Sequence, residues 1–273
     1  MSYNYKKSYK PHNGYTPICK IGECSLKDLE FGIIELTPNQ KLEYYTENKE
    51  TAFVILWGTV NFYANGADYG KLGVRATVFA SPKAECFYAG RNTKLEIISV
   101  HNCKIAVCAT PIDVDTEPQA ISQADVRVMR LGVKPWERDT SFIVDGTTNA
   151  KKLTIGEAYC CPGNWAGFPP HKHDVDDMPR ECVAEEIYYF LFDPEQGFGI
   201  QCLYTGDGKI DEAYRVKSND LVEFPYGYHT TVGAPGYNTY FLWLMAGEHQ
   251  GFCRVNDPDH AWVAAVENLI KKQ

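Results

Sequence analysis

Short segments rich in β-branched and aromatic residues recur along almost the whole chain, and Gly, Asn or Pro closes each within a few residues. FGIIELTP (31–38), TAFVILWGTVNFYAN (51–65), ATVFASP (76–82), CFYAG (86–90), KLEIISVHN (94–102) and KIAVCATPI (104–112) form one series. VRVMRLG (126–132), SFIVDGT (141–147), KLTIGEAYC (152–160), EEIYYFLFD (185–193), GFGIQCLYTGDGK (197–209), EAYRVKSNDLVEFP (212–225), HTTVGAP (229–235) and TYFLWLMAGE (239–248) form a second. Such punctuation leaves no room for long helices and predicts an all-β chain built as sandwiches or barrels. The 18 Tyr, 22 Gly and 15 Pro agree with many strands and turns. Only residues 260–273 carry a helical pattern, with Val263, Val266 and Ile270 on one face and lysines near the end, where they suit the helix dipole.

Between the two series lies PIDVDTEPQAISQ (111–123), polar and holding two prolines, which reads as a linker. Two domains are therefore expected, 1–115 and 116–273, each a β-barrel. A net charge of −8 disfavours nucleic acid as a partner, because phosphate binding calls for a basic patch. Neither a long apolar run nor a secretory apolar core is present, so no membrane association is expected and a cytoplasmic location is. In that compartment the ten cysteines should stay reduced, several of them as small core residues.

GNWAGFPPHKHD (163–174) holds the first chemical signal. His171 and His173 stand at i and i+2, so in an extended segment both side chains leave one face while Lys172 leaves the other. The paired prolines favour that extended state. A carboxylate is available in EEIYYF, from Glu185 or Glu186, and a third imidazole in FPYGYHTT, where His229 follows a Pro-x-Gly-x turn. Three imidazoles and a carboxylate suit one divalent metal ion, Zn²⁺, Mn²⁺, Fe²⁺ or Ni²⁺. The two glutamates are adjacent and face opposite sides of a strand, and both faces continue in apolar residues, so periodicity does not choose between them.

HxH, then Glu in a strand, then PxGxH resembles the two motifs of the cupins, small β-barrels with an internal metal. GNWAGFPPHKHD, EEIYYFLF, GFGIQCLYT, FPYGYHTTVGAPGYNTYFLWLMAG and DPDHAW together resemble the 5-deoxy-glucuronate isomerases of myo-inositol catabolism, relatives of the 4-deoxy-5-keto-uronate isomerases of pectin breakdown. The likeness is dense over roughly 126–262 and weak over 1–110. It implies a bicupin, two jelly-roll barrels with a short C-terminal helix, the metal lying in the second barrel. It implies His171, His173, Glu186 and His229 as ligands, the family's Glu-x-Tyr-x-Phe pattern favouring Glu186 over Glu185. Twelve residues (DVDDMPRECVAE, 174–185) separate His173 from Glu186, where most cupins have only a few. The isomerases carry a similar insertion, which reads either as a solvated loop or as a lid. The first half has the barrel texture without the imidazoles: its only histidines are His12 and His101.

The reaction implied is an aldose–ketose isomerisation of 5-deoxy-D-glucuronate to 5-dehydro-2-deoxy-D-gluconate. A proton must leave one carbon and arrive at its neighbour while a metal stabilises the charge between them. Tyr188, two residues after Glu186 and facing the same side, is the first candidate for the proton shuttle, with Lys172 and Glu185 behind it. Substrate contacts are expected from Arg180, Tyr226 and Tyr228, and the substrate carboxylate could meet Arg180, Lys172 or Arg254. Arg127, Arg130 and Arg138 could pair with acids structurally or bind an anion, the structural reading being favoured. The partner is thus a small sugar acid, and self-association through strand edges would give a homo-oligomer. Two alternatives are another metal-dependent cupin enzyme, a uronate ketol-isomerase or a dioxygenase, and a non-catalytic sugar-binding cupin.

Overall fold

A computed structural model describes residues 3–271; Met1, Ser2 and the last two residues of the expected helix, Lys272 and Gln273, lie outside the described residues. Four antiparallel sheets stack in two pairs. In the first half a six-stranded sheet runs in the order Gln119–Ile121, Cys86–Ala89, Lys49–Trp57, Cys103–Pro111, Glu30–Leu36, Gly14–Cys19. It faces a four-stranded sheet of Lys41–Tyr45, Lys94–Ser99, Val60–Ala64 and Ala67–Leu72. In the second half a seven-stranded sheet runs Lys6–Ser8, Asp220–Phe224, Ala184–Asp193, Asn238–Gly247, Thr154–Cys160, Arg138–Val144, Arg127–Leu131. Its partner has five strands, Asp211–Lys217, Phe198–Tyr204, Tyr228–Gly233, Trp165–Lys172 and Val255–Asn256. The all-β expectation with a short C-terminal helix, Trp262–Ile270, agrees with this architecture.

The halves also exchange strands. Lys6–Ser8 pairs with Asp220–Phe224 at the edge of the second-half sheet. Gln119–Ile121, inside the stretch that reads as a linker, pairs with Cys86–Ala89 of the first half.

Burial explains the sequence texture. Lys94–Ser99 (KLEIIS) alternates exposed and covered positions, the mark of a sheet with one face in water. Lys49–Trp57 and Ala184–Asp193 are buried at almost every position, because the six- and seven-stranded sheets also pack against each other. Phe31, Ile33, Val54 and Tyr88 from one half share a core with Ile187, Tyr189, Leu242 and Leu244 from the other. Fully burying one such side chain contributes about 1.5–3 kcal/mol, so a shared core of this kind couples the halves strongly.

A polar clamp sits in that interface. The buried Arg75 guanidinium donates to both oxygens of Glu157, with Nη1 3.0 Å from Oε2. Tyr159 and Tyr240 each donate a hydroxyl to the same carboxylate at 2.7 Å. The interior of the first barrel is filled by Phe53, Phe62, Phe87, Ile97 and Ile105. Of the expected apolar face of the helix only Val263 is buried, and Ile270 is exposed. Trp136 Nε1 donates to Glu267 at 2.8 Å and so ties the helix to the second half.

Candidate metal centre

The second barrel closes around four polar side chains. His171 sits near the end of Trp165–Lys172, directly opposite His229 of Tyr228–Gly233. His173 follows one residue beyond the strand, and its carbonyl accepts from Ala184 N at 3.0 Å, which joins it to the facing sheet. From that sheet Glu186 points inward, on the same side as Tyr188 and Phe190. All four are buried, with exposures of 4% or less.

Two glycines shape the approach. Gly167 has φ +61°, and a Cβ there would lie 3.1 Å from His171 Cε1. Gly227 has φ +98°, and a Cβ there would lie 2.8 Å from the Tyr204 carbonyl oxygen. Both positions therefore favour glycine. Each also turns its carbonyl to an imidazole. His171 Nδ1 lies 3.1 Å from Gly167 O, and His229 Nδ1 lies 3.2 Å from Gly227 O. His173 Nδ1 lies 2.7 Å from Ala184 O. A carbonyl only accepts, so the His173 and His229 contacts place the imidazole proton on Nδ1 and leave Nε2 with a free lone pair; His171 Nδ1 also meets a donor, the Arg254 guanidinium at 3.2 Å.

Those lone pairs converge. His173 Nε2 and His229 Nε2 each lie 3.0 Å from Glu186 Oε2. Donor atoms of His171, Glu186 and His229 all fall within 4.8 Å of one another. Nε2 of His171 is buried without a hydrogen-bond partner, and that of His229, though 3.0 Å from Glu186 Oε2, makes no well-aligned hydrogen bond. Buried nitrogens are rarely left so, and a cluster of them around a carboxylate is what a transition-metal site requires. Electrostatics agree. Burial, then Arg254, then the neighbouring histidines push the His171 pKa well below 6.5. Burial lowers His229 as well. For His173 burial opposes the charge, but the hydrogen bond to Glu186 outweighs it and raises the pKa. For Glu186 burial acts upward, and the His173 and His229 contacts outweigh it and hold the carboxyl below its usual value. An ionised carboxylate and mostly neutral imidazoles are the forms that bind metal.

A narrow cleft opens onto this cluster. His171, Glu186, Tyr188, Arg138, Thr140 and Arg254 supply its polar lining, and Phe142, Phe241, Trp243 and Phe252 much of the rest. That mix, apolar walls with a few convergent polar groups, is typical of small-molecule sites.

Of the other residues that the sequence pointed to for catalysis or substrate contact, Tyr188 and Arg254 line the cleft. Glu185 lies on the opposite face of the sheet, where it accepts the backbone N–H of Lys27 and of Asp28 at 2.8–2.9 Å, so it ties the two halves together. Lys172 is engaged with Asp174 and Glu181, away from the metal cluster. Arg180 is on the surface, paired with Asp177, its side chain 78% exposed. Tyr226 and Tyr228 line a separate shallow depression with Lys172. The insertion folds back on itself: Glu181 accepts from Asp174 N and Val175 N at 2.8 and 3.1 Å. Arg138, which reads as structural from the sequence, is buried in the cleft wall. The signal that marks it is an arginine alternating with Thr140 and Phe142 on one face of a strand.

A family model described as "KduI/IolB family" matches residues 5–263. A 5-deoxy-glucuronate isomerase of Bacillus licheniformis is 33% identical over 246 residues, covering 89% of this chain and 90% of that protein. The crystal structure of an IolB-like protein from Salmonella typhimurium superposes with a TM-score of 0.92 at 26% identity, covering 96% of this chain and all of the other. An oxalate decarboxylase of Lactobacillus farciminis, 10% identical, superposes with a TM-score of 0.69 over 97% of this chain and 91% of its own, a likeness of fold alone that marks the bicupin architecture. With a family match across nearly the whole chain and a relative of this identity, the chain belongs to the KduI/IolB family.

Proposed function

We propose that this chain is a metal-dependent 5-deoxy-glucuronate isomerase, acting in the cytoplasm on the myo-inositol catabolic route to give 5-dehydro-2-deoxy-D-gluconate. The observation that carries the reading is the convergence of the His173 and His229 Nε2 atoms on Glu186, with a ring nitrogen of His171 within 4.8 Å of Glu186 and His229. The name of the Bacillus licheniformis relative supplies the substrate.

His171, His173, Glu186 and His229 would hold one divalent cation. Bound there, such an ion supplies Lewis-acid stabilisation of the negative charge that grows on the substrate's carbonyl and hydroxyl oxygens as a proton leaves carbon. The rest falls to side chains. Phe142, Phe241 and Trp243 exclude water from one wall and leave the sugar few orientations. Burial, then the Glu186 charge, raises the Tyr188 phenol well above its ordinary pKa. At neutral pH it therefore keeps its proton. It fits as a hydrogen-bond and proton donor to a substrate oxygen and does not fit as the base.

Purified protein incubated with 5-deoxy-D-glucuronate in D₂O should consume the aldehyde signal followed by NMR, with deuterium entering at carbon. A chelator should stop the loss, and added divalent metal should restore it. An aldehyde signal that persists in metal-loaded protein would refute the proposal.

A further inference from the structure

Two arginines face the cleft without an acid to balance either. Arg138 is buried at 8% exposure, and the one hydrogen bond its guanidinium makes among the described residues is a long contact of 3.4 Å to Trp136 O. Among the described residues Arg254 makes one hydrogen bond, between Nη1 and His171 Nδ1 at 3.2 Å. An imidazole carries no negative charge to balance the guanidinium, and that Nδ1 also lies 3.1 Å from Gly167 O. The nearby acids are engaged elsewhere, Glu186 with His173 and His229, and Glu267 with Trp136 and Lys271. Thr140 lines the same cleft, and its Oγ1 is buried without a partner among the described residues.

Placing a buried guanidinium and a part-buried one in one cleft costs stability unless a ligand supplies the missing charge. Planar guanidinium forks match carboxylates bidentately, and apolar walls strengthen the pairing.

We infer that Arg138 and Arg254, with Thr140 beside them, form the subsite for the carboxylate of a sugar acid, holding that end of the molecule while its other end reaches the cluster at Glu186. The subsite would set specificity for uronic acids over neutral sugars. A neutral sugar would leave both guanidiniums unpaired, and that penalty supplies the discrimination.

The inference rests on the sugar-acid reading for its choice of ligand, but its test needs no turnover. D-glucuronate and D-glucose share a ring and differ at the carboxylate, so their binding to metal-loaded protein can be compared by calorimetry. Wild type should prefer the acid by about 10- to 100-fold, as charge-assisted hydrogen bonds imply. Arg138→Gln and Arg254→Gln should each erase most of that preference while the metal content stays at the wild-type level. Neither should melt below wild type by much, since Arg138 is an unbalanced buried charge and Arg254 is only part-buried. Equal affinity of wild type for the two sugars would overturn the inference, whatever the variants do. So would variants that keep the full preference. If Arg254→Gln loses its metal together with the preference, that residue holds His171 rather than the ligand, and its part in the subsite falls. Acid preference without isomerase activity would defeat the functional proposal alone. Turnover without acid preference would defeat the subsite alone.

Discussion

Replacing Arg75 by Met removes the one cation that balances Glu157 in the interface between the halves. Glu157 has no solvent exposure and would keep only the hydroxyls of Tyr159 and Tyr240 as donors. Arg75 also donates to the carbonyls of Leu56 and Ser81, so these lose a partner too. Removing one member of a buried ion pair costs about 3–5 kcal/mol, most of it from the charge left behind. At about 2–4 °C per kcal/mol for a chain approaching this length, the melting temperature should fall by about 6–20 °C. Glu157→Gln alone should also be costly, because Arg75 is then stranded. The double variant should lose less than the sum of the two, by about 1–3 kcal/mol, since neither charge remains unpaired. Scanning calorimetry on metal-loaded protein reads all three. A shift within about 2 °C for Arg75→Met, or strictly additive losses, would refute the view that this pair bridges a dry interface between two halves packed as one body.

The two adjacent glutamates should separate cleanly: Glu186→Gln should lose bound metal, whereas Glu185→Gln should keep it, as metal analysis after dialysis would read. Gly167→Ala forces a side chain into φ +61° and against His171, so it should cost about 1–2 kcal/mol of stability and weaken metal binding about tenfold or more in a chelator competition. Metal affinity should fall as pH drops. In the metal-free protein the His173 pKa is raised above 6.5, so below that raised value a proton must leave before metal binds, and affinity should drop about tenfold per pH unit. A pH-independent affinity would count against His173 as a ligand.

The strand texture was open to reading because each strand buries at least one apolar face, and the HxH spacing because a two-residue period needs no knowledge of the fold. What escaped was set by packing between elements. Glu185 and Glu186 could not be told apart by periodicity because both faces of Ala184–Asp193 are covered, one by its own barrel and one by the first half. Gln119–Ile121 looked like linker because three residues carry no pattern of their own and gain a partner only when Cys86–Ala89 arrives. Arg180 and Lys172 looked available because local sequence shows charges and not their neighbours. The insertion supplies acids for both, Asp177 for one, Asp174 and Glu181 for the other. Arg138 went the other way: charge in a strand suggested an ion pair, yet the fold brings it no acid.

Metal content per chain, measured by mass spectrometry on wild type and on the His171, His173, Glu186 and His229 alanine variants after dialysis, bears most directly on the site. The expected result is about one divalent ion per wild-type chain and a loss of most of it in each variant, since each removes one of four ligands. Stoichiometric metal in the His171→Ala or Glu186→Ala protein, or a folded wild type that binds none, would contradict it.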